Sequence, residues 1–211
     1  MAAAVQPVRS PGATPMTRRE FLYYVWGASL ALFMAETSGA LIWLSIPRFK
    51  EGEFGGVFTL GLSDMPPADS GPKAYDSGRF WLVNLGDAAV SDPRQPKDYA
   101  VQKGVKALYK VCVHLGCLYK WVPTRDRFEC PCHGSKYLLS GTRIDGPARR
   151  NLDVFILQAV DAAGNVLAET KPTDGAQDGA AIEIPAATAA IKVNTGKRIT
   201  GAKNTKDGGG K

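Results

Sequence analysis

Histidine and cysteine are scarce in this chain, and most of its length contains neither. Of the 211 residues, two are His and four are Cys, and all six lie between Cys112 and His133. No thiolate or imidazole is therefore available for metal binding elsewhere in the sequence. A scatter of structural Cys and His would not be confined to 22 positions, so we expect the chemistry of the protein within this stretch.

Net charge is also absent over most of the chain. The formal charge is +6, to which residues 1–20 contribute +2 and residues 194–211 contribute +4, so residues 21–193 sum to zero. Nucleic-acid-binding domains carry clustered positive charge, and we therefore expect no nucleic-acid partner. The 45% hydrophobic composition is ordinary for a globular core. The length suits one folded head with additional segments.

The six residues form two short motifs. The first reads C-x-H-x-G-C from Cys112 to Cys117, and the second reads C-P-C-H-G-S-x-Y from Cys130 to Tyr137. A structural zinc site takes four ligands and usually pairs its cysteines as C-x(2-4)-C. Six candidates exceed that number, although two thiolates and two imidazoles would satisfy zinc. A membrane interaction module held by zinc therefore stays open as an alternative.

A two-iron, two-sulfur cluster of the Rieske type divides its ligands differently. Two Cys bind one iron, and two His replace the thiolates on the other iron. The spacings C-x-H and C-x-x-H supply one ligand of each kind from each motif. On this interpretation Cys112 and Cys130 bind one iron, whereas His114 and His133 bind the other.

The two motifs resemble those of the Rieske iron-sulfur subunits of cytochrome bc-type and b-f-type quinol oxidising complexes. The resemblance covers residues 80–170 and extends to the apolar N-terminal segment. It implies an antiparallel all-β head, a sandwich or barrel with the cluster-binding loops at its tip, on a single transmembrane helix. It also implies a disulfide between Cys117 and Cys132 that holds the two loops together. Rieske oxygenases and soluble Rieske ferredoxins generally lack this cysteine pair.

The resemblance assigns further residues to the surroundings of the cluster. The Ser135 hydroxyl is expected to donate to a bridging sulfide, and the Tyr137 hydroxyl to the sulfur of Cys112. Hydrogen bonds of this kind favour the more negative, reduced form and therefore raise the reduction potential. Leu115 is expected to pack near the quinone. The other expected neighbours of the cluster are Gly134, Gly146 and Pro147. The last two belong to the segment Gly146-Pro147-Ala148, which matches the family's proline loop.

The implied function is one-electron transfer from quinol, as a subunit of a quinol:cytochrome c oxidoreductase. Quinol loses two electrons and two protons, so its oxidant requires a proton acceptor beside the electron acceptor. The resemblance assigns the proton to His133. The expected partners are a cytochrome b-type membrane subunit, which takes the second electron, and a c-type cytochrome or plastocyanin-like acceptor. The alternative is a Rieske subunit of another exported oxidoreductase, such as an arsenite-oxidase-like enzyme.

The N-terminal segments predict export and membrane anchoring. Residues 1–20 form an expected cytoplasmic leader, in which Arg18 and Arg19 precede an apolar run as in a twin-arginine signal. Ordinary positive-inside charge is the open alternative. Residues 21–46 contain one charge, Glu36, and are long enough to span a bilayer. We therefore expect the head on the periplasmic side of a bacterial inner membrane, with the anchor in contact with membrane lipid.

Three segments follow the expected anchor. Residues 47–56 contain three Gly and are expected to form a flexible tether. Residues 57–193 are expected to form the head, because short β-like runs alternate there with turn-rich segments. Residues 194–211 form a basic tail that is expected to be disordered.

Two departures from the family pattern affect the expected tip. Val113 stands where Thr is usual, and Arg149 and Arg150 follow the proline loop where a further Pro is common. The two arginines could attract an acidic electron acceptor or be simply solvated.

Overall fold

The structure, a computed structural model, describes residues 16–46, 54–95, 101–171 and 179–203. The described residues belong to two units, a long N-terminal helix and a β-rich head. Most of the expected leader (1–15), most of the expected tether (47–53) and the end of the expected tail (204–211) lie outside the described residues.

The N-terminal helix α1 runs from Arg18 to Ser45. It begins with a capping box, in which the Thr17 hydroxyl accepts a hydrogen bond from the Glu20 N–H at 3.2 Å and the Glu20 carboxylate accepts one from the Thr17 N–H at 2.9 Å. Its 28 residues extend about 42 Å, more than the hydrocarbon core of a bilayer. Among the described residues it is the one helix long and apolar enough to cross a membrane. Length and composition therefore agree with the predicted span.

The described part of the head contains eleven short strands, one short α-helix and two single 3-10 turns. The strands are β1 (Val57–Gly61), β2 (Lys73–Tyr75), β3 (Phe80–Leu85), β4 (Gly104–Tyr109), β5 (Lys120–Val122), β6 (Arg127–Glu129), β7 (Lys136–Tyr137), β8 (Arg143–Asp145), β9 (Val154–Val160), β10 (Val166–Glu169) and β11 (Ala190–Ile199). The helix α2 spans Asp87–Val90.

The strands form two antiparallel sheets. The larger sheet has the order β1-β11-β9-β4-β3-β2, and β10 pairs with β9 outside this path. The smaller sheet has the order β5-β6-β7-β8. Every pair of neighbouring strands is antiparallel. The prediction of an antiparallel all-β head with an N-terminal helix is therefore confirmed.

Two hydrophobic clusters stabilise the head. One is built on the larger sheet and includes the buried rings of Phe80 and Phe155. The other includes Phe128 of the smaller sheet together with Cys112 and Cys130. Since Cys112 and Cys130 belong to this second cluster, the two loops that carry the candidate ligands pack directly on this part of the core.

The C-terminal boundary of the head differs from the prediction. β11 continues through Asn194 to Ile199, so the expectation of disorder is wrong for these residues. Their side chains are mostly polar, but their backbone has partners. Arg198 and Ile199 pair with β9 after a β-bulge, and the Thr195 N–H donates to the Gly56 carbonyl at 2.9 Å. Pairing with neighbouring strands overrides the composition here.

The last residues of the expected tether contact the head. The Phe54 ring stacks on that of Tyr109, with centroids 6.1 Å apart. The Gly55 N–H donates to Thr195 Oγ1 at 2.8 Å. The expectation of a flexible tether is therefore not met at residues 54–56.

A buried carboxylate joins the proline loop to the C-terminal strand. The Asp153 side chain is 3% exposed and forms ion pairs with Arg150 and Arg198. It also accepts a hydrogen bond from the Gly201 N–H at 3.0 Å. Since a buried carboxylate is costly unless it is paired and hydrogen-bonded, these contacts make Asp153 a structural junction of the head.

Asp153→Asn should destabilise the head, because Arg150 and Arg198 would lose their shared anion. We expect the free energy of unfolding to fall by about 2–4 kcal/mol, measured by urea titration of the solubilised chain. Asp161→Asn is the matched control, because Asp161 also accepts hydrogen bonds from backbone N–H groups but is only half-buried, in the turn between β9 and β10. It should cost less than about 1 kcal/mol. Equal losses in the two variants would contradict the role assigned to Asp153.

Candidate metal centre

Two loops with the same backbone hydrogen-bond pattern carry the candidate ligands. The first follows β4 and contains Cys112, and the second follows β6 and begins at Cys130. In each loop the cysteine carbonyl accepts a hydrogen bond at 3.0 Å from the glycine four residues later, Gly116 or Gly134. These glycines have φ values of +82° and +75°, a region that other residues rarely adopt. The shared cysteine-to-glycine spacing therefore gives both loops the same turn.

The four cysteines separate into a bonded pair and a free pair. Cys117 and Cys132 form a disulfide that joins the two loops, in agreement with the resemblance. Cys112 and Cys130 are free thiols and are 2% and 3% exposed. The sulfurs of Cys117, Cys130 and Cys132 lie within 4.8 Å of one another, but the disulfide removes two of them from metal binding. Two thiols therefore remain as candidate ligands.

The two histidines lie side by side at the tip. The ring centroids of His114 and His133 are 4.8 Å apart, and the rings are nearly perpendicular, at 83°. His133 is exposed and His114 is half-buried. The loops therefore present two buried sulfurs and two imidazoles that reach the surface. This donor set fits a Rieske-type cluster, which requires two of each.

Burial raises the pKa of the Cys130 thiol. The Cys132 and His133 N–H groups act in the opposite direction, and the neighbouring Cys112 sulfur raises the pKa further. A thiolate at this position therefore needs a cation nearby. Iron bound by the two sulfurs would supply that positive charge.

A tyrosine hydroxyl lies against one of the free sulfurs. Tyr137 Oη is 3.2 Å from Cys112 Sγ, and the Tyr137 side chain is fully buried. Burial, together with the hydrogen bond to Cys112, raises the pKa of Tyr137 well above its ordinary value. The hydroxyl therefore stays protonated and can donate to a thiolate at Cys112, which is the contact that the resemblance predicts.

The Ser135 hydroxyl is buried between the second loop and the proline loop. It accepts a hydrogen bond from the Ala148 N–H at 3.2 Å. A hydroxyl also has one proton to donate, and Tyr137 is a second hydrogen-bond partner of Ser135, so this proton can go to Tyr137 or to the cluster-binding region. The predicted bond to a bridging sulfide is compatible with this position.

The proline loop packs directly on the backbone of the second loop. Gly146 has a φ of +91°, and a Cβ at this position would lie 2.4 Å from the Ser135 Cα and 2.8 Å from the Gly134 carbonyl oxygen. The Gly146 carbonyl accepts a hydrogen bond from the Arg143 guanidinium at 2.6 Å. Gly146 is therefore required both for its conformation and for the close approach of the two loops.

Two further residues at the tip were not singled out from the sequence. Leu118 is 59% exposed, beside the predicted contact residue Leu115, which is 69% exposed. Tyr119 is buried, and its hydroxyl donates to the Tyr109 carbonyl at 2.7 Å. The apolar pair Leu118 and Tyr119 follows Cys117 directly, but only the pairing of the loops shows that one side chain faces out and the other in.

Comparison with known proteins supports the same centre. Residues 83–156 match the family described as the Rieske [2Fe-2S] domain. The chain is 31% identical over 145 residues to the iron-sulfur subunit of the cytochrome b6-f complex of Synechococcus sp. (strain JA-3-3Ab), covering 67% of this chain and 81% of the relative. It is 42% identical, with the same coverage, to the subunit of Synechococcus sp. (strain JA-2-3B'a(2-13)).

A solved structure of a hyperthermophilic respiratory complex III contains a chain that is 28% identical to this one. The match covers 62% of this chain and 89% of that chain, with a TM-score of 0.34.

Gly146→Ala should prevent stable assembly of the centre, because the added methyl group would displace the second loop. We expect at least a fivefold loss of bound iron and acid-labile sulfide per chain, an order-of-magnitude estimate based on the cost of overpacking. Gly164→Ala is the matched control, since Gly164 has a φ of +89° but no atom within 4 Å of the place that an added methyl group would take. The control should retain its iron. Similar losses of bound iron in both variants would show that backbone strain, and not the close approach of the two loops, causes the effect.

Proposed function

The chain belongs to the family of Rieske iron-sulfur subunits of cytochrome b6-f complexes, and on that basis we propose how it acts. The family cofactor is a 2Fe-2S cluster. In our proposal the chain accepts one electron from a quinol and passes it to a c-type cytochrome or a plastocyanin-like protein. A cytochrome b-type membrane subunit takes the second electron of the quinol. This chain is then one half of a quinol oxidation site.

The observation that carries the proposal is the convergence of four donors at one tip. Cys112 and Cys130 would bind one iron, and His114 and His133 the other. The buried sulfurs and the surface imidazoles support this division, because it leaves a histidine accessible to a second molecule. When bound, the cluster supplies one-electron redox chemistry at the edge of the protein.

His133 is the proposed acceptor of a quinol proton. Its side chain is exposed, so a quinol hydroxyl would have access to the imidazole. An imidazole on a metal loses its proton more readily when the metal carries more positive charge, and holds it more tightly after reduction. With the cluster bound, proton uptake at His133 would therefore be coupled to electron uptake. The exposed side chain of Leu115 offers an apolar contact for the quinone ring.

The proposed placement is an inner membrane of a bacterium, with α1 as the anchor. Arg18 and Arg19 lie in the first turn of α1 and are proposed as a twin-arginine signal, which would leave the N-terminus in the cytoplasm. The head would then be periplasmic. The Cys117–Cys132 disulfide supports this side, because disulfides persist in oxidising compartments.

The alternative of another exported oxidoreductase is less well supported. The two relatives described above are subunits of cytochrome b6-f complexes and match along 81% of their length. That coverage favours a quinol oxidising complex over an arsenite-oxidase-like enzyme. A zinc module is disfavoured by the match to an iron-sulfur domain.

Tyr137→Phe should lower the midpoint potential of the cluster, because the thiolate of Cys112 would lose a hydrogen bond. We expect a decrease of about 20–65 mV, the equivalent of one hydrogen bond of about 0.5–1.5 kcal/mol in a one-electron couple. Redox titration followed by circular dichroism measures it. Tyr119→Phe is the matched control, because that buried hydroxyl bonds to a backbone carbonyl. It should leave the midpoint near the wild-type value, and equal shifts would contradict the assignment to Tyr137.

Quinol should reduce the cluster in native membranes that contain the whole complex. Paramagnetic resonance should then show a signal with an average g below 2, whereas a zinc site would be silent. Dithionite provides the reference, since it reduces the cluster without a quinol site. A signal that appears with dithionite but never with quinol would support a Rieske cluster and overturn the proposed function.

A further inference from the structure

We propose that a cleft beside His114 is the docking site for an acidic surface of the protein that takes the electron. The cleft is lined by Val113, His114, Pro147, Arg149 and Arg150 and has a volume of about 390 Å³. This inference rests on the proposed function and names the chemistry of the electron acceptor. The residue that would select this partner is Arg149.

The cleft connects the first cluster-binding loop to the proline loop. Val113 and His114 form one wall, and Pro147, Arg149 and Arg150 form the other. None of the described residues that line it is acidic. A carboxylate from another molecule would therefore meet two guanidinium groups beside a candidate ligand of the cluster, without competition from the walls.

The two arginines have different roles in this wall. Arg150 is held by an ion pair with the buried carboxylate of Asp153, which offsets its charge. Arg149 is exposed, and the described part of the chain provides no ion pair or hydrogen bond for its guanidinium. Arg149 is therefore the positive group that remains available to a partner, next to an arginine that fixes the shape of the loop.

Charge is distributed unevenly along the sequence of the head. Residues 110–153, which build both cluster-binding loops and the proline loop, contain eight Lys and Arg against four Asp and Glu, a net charge of +4. Residues 57–109 are neutral, and residues 154–193 carry a charge of −3. The part of the head that meets redox partners is therefore its positive part, although residues 21–193 together are neutral.

Much of this positive charge is already paired within the head. Lys110 pairs with Asp76, Lys136 pairs with Asp145, and Arg125 and Arg127 share Glu129. Arg149 is not used in this way and lines the cleft at His114. Its position, more than the total charge, therefore points to a specific contact.

A protein is the occupant that best fits these features. The tip combines exposed apolar side chains, Leu115 and Leu118, with an arginine at the adjacent cleft. An apolar centre with arginine nearby is typical of protein interfaces. An acidic partner would be attracted over distances comparable with the Debye length, about 10 Å at 0.1 M salt, which increases the rate of encounter.

The test compares Arg149→Gln with wild type in the solubilised chain that carries its reduced cluster, so that no other subunit passes the electron to the probe. The probes are two soluble c-type cytochromes, one acidic and one basic, and the measurement is the second-order rate of their reduction. With the acidic probe at low ionic strength, we expect Arg149→Gln to slow the reaction about three- to tenfold. The difference should disappear near 1 M salt, where the Debye length is about 3 Å. The basic probe should show no slowing.

Lys120→Gln is the matched control, because it removes one positive charge from an exposed residue of β5 that does not line the cleft. It should leave the rate with the acidic probe close to wild type, and Arg149→Lys should restore most of the rate. Equal slowing by Arg149→Gln and Lys120→Gln would assign the effect to total charge and overturn the docking site. The midpoint potential is measured in every variant, so that a change in driving force is not mistaken for a change in docking.

Reduction of the cluster by quinol is followed separately, in native membranes that contain the whole complex. If quinol does not reduce the wild-type cluster, the proposed function fails. If quinol reduces the cluster but Arg149→Gln reacts with the acidic probe as fast as wild type, only the docking site is rejected. The two failures are therefore distinguishable.

Discussion

The tip of this head depends on the disulfide between Cys117 and Cys132. Each cluster-binding loop carries one sulfur and one imidazole of the proposed ligand set, so neither loop can hold the cluster alone. The bridge joins residues separated by 15 positions, for which loop closure contributes about 3 kcal/mol in the chain-entropy treatment. This contribution does not depend on iron. The proline loop and the buried tyrosines therefore pack on two loops that a covalent bond holds together, whatever the occupancy or oxidation state of the cluster.

Burial divides the candidate site into an inner side with the two free sulfurs and an outer side with the proposed proton acceptor. Cys112 and Cys130 belong to the aromatic core cluster, where water is excluded and a hydrogen bond from Tyr137 acts strongly on a sulfur. His133 lies on the other side, in contact with solvent. In the proposed function, redox tuning and proton transfer would thus depend on different surroundings. A change beneath the sulfurs can alter the potential while leaving the accessible imidazole unchanged.

Candidates for the donor set could be chosen from the sequence because the spacings that identify them are local. Cys112 and His114 are two residues apart, Cys130 and His133 are three apart, and the chemistry of a Rieske cluster assigns them. Contacts between distant segments could not be predicted in the same way. The close approach of Gly146 to Ser135 depends on the packing of two loops. In the sequence, nothing distinguishes Asp153 from the other acidic residues, of which there are 20 in all. Only the fold places Arg150 and Arg198 beside it.

The end of the proposed tether, residues 54–56, is a second case in which contacts with a distant segment could not be predicted from the sequence. These contacts determine which residues would move together with the head. The Phe54 ring stacks on that of Tyr109, and the Arg79 guanidinium lies 4.8 Å from the centroid of the Phe54 ring. Gly55 is hydrogen-bonded to Thr195. These residues therefore move with the head, and glycine content alone placed the start of the head too late. A head that moves between quinol and an acceptor would therefore carry residues 54–56 with it.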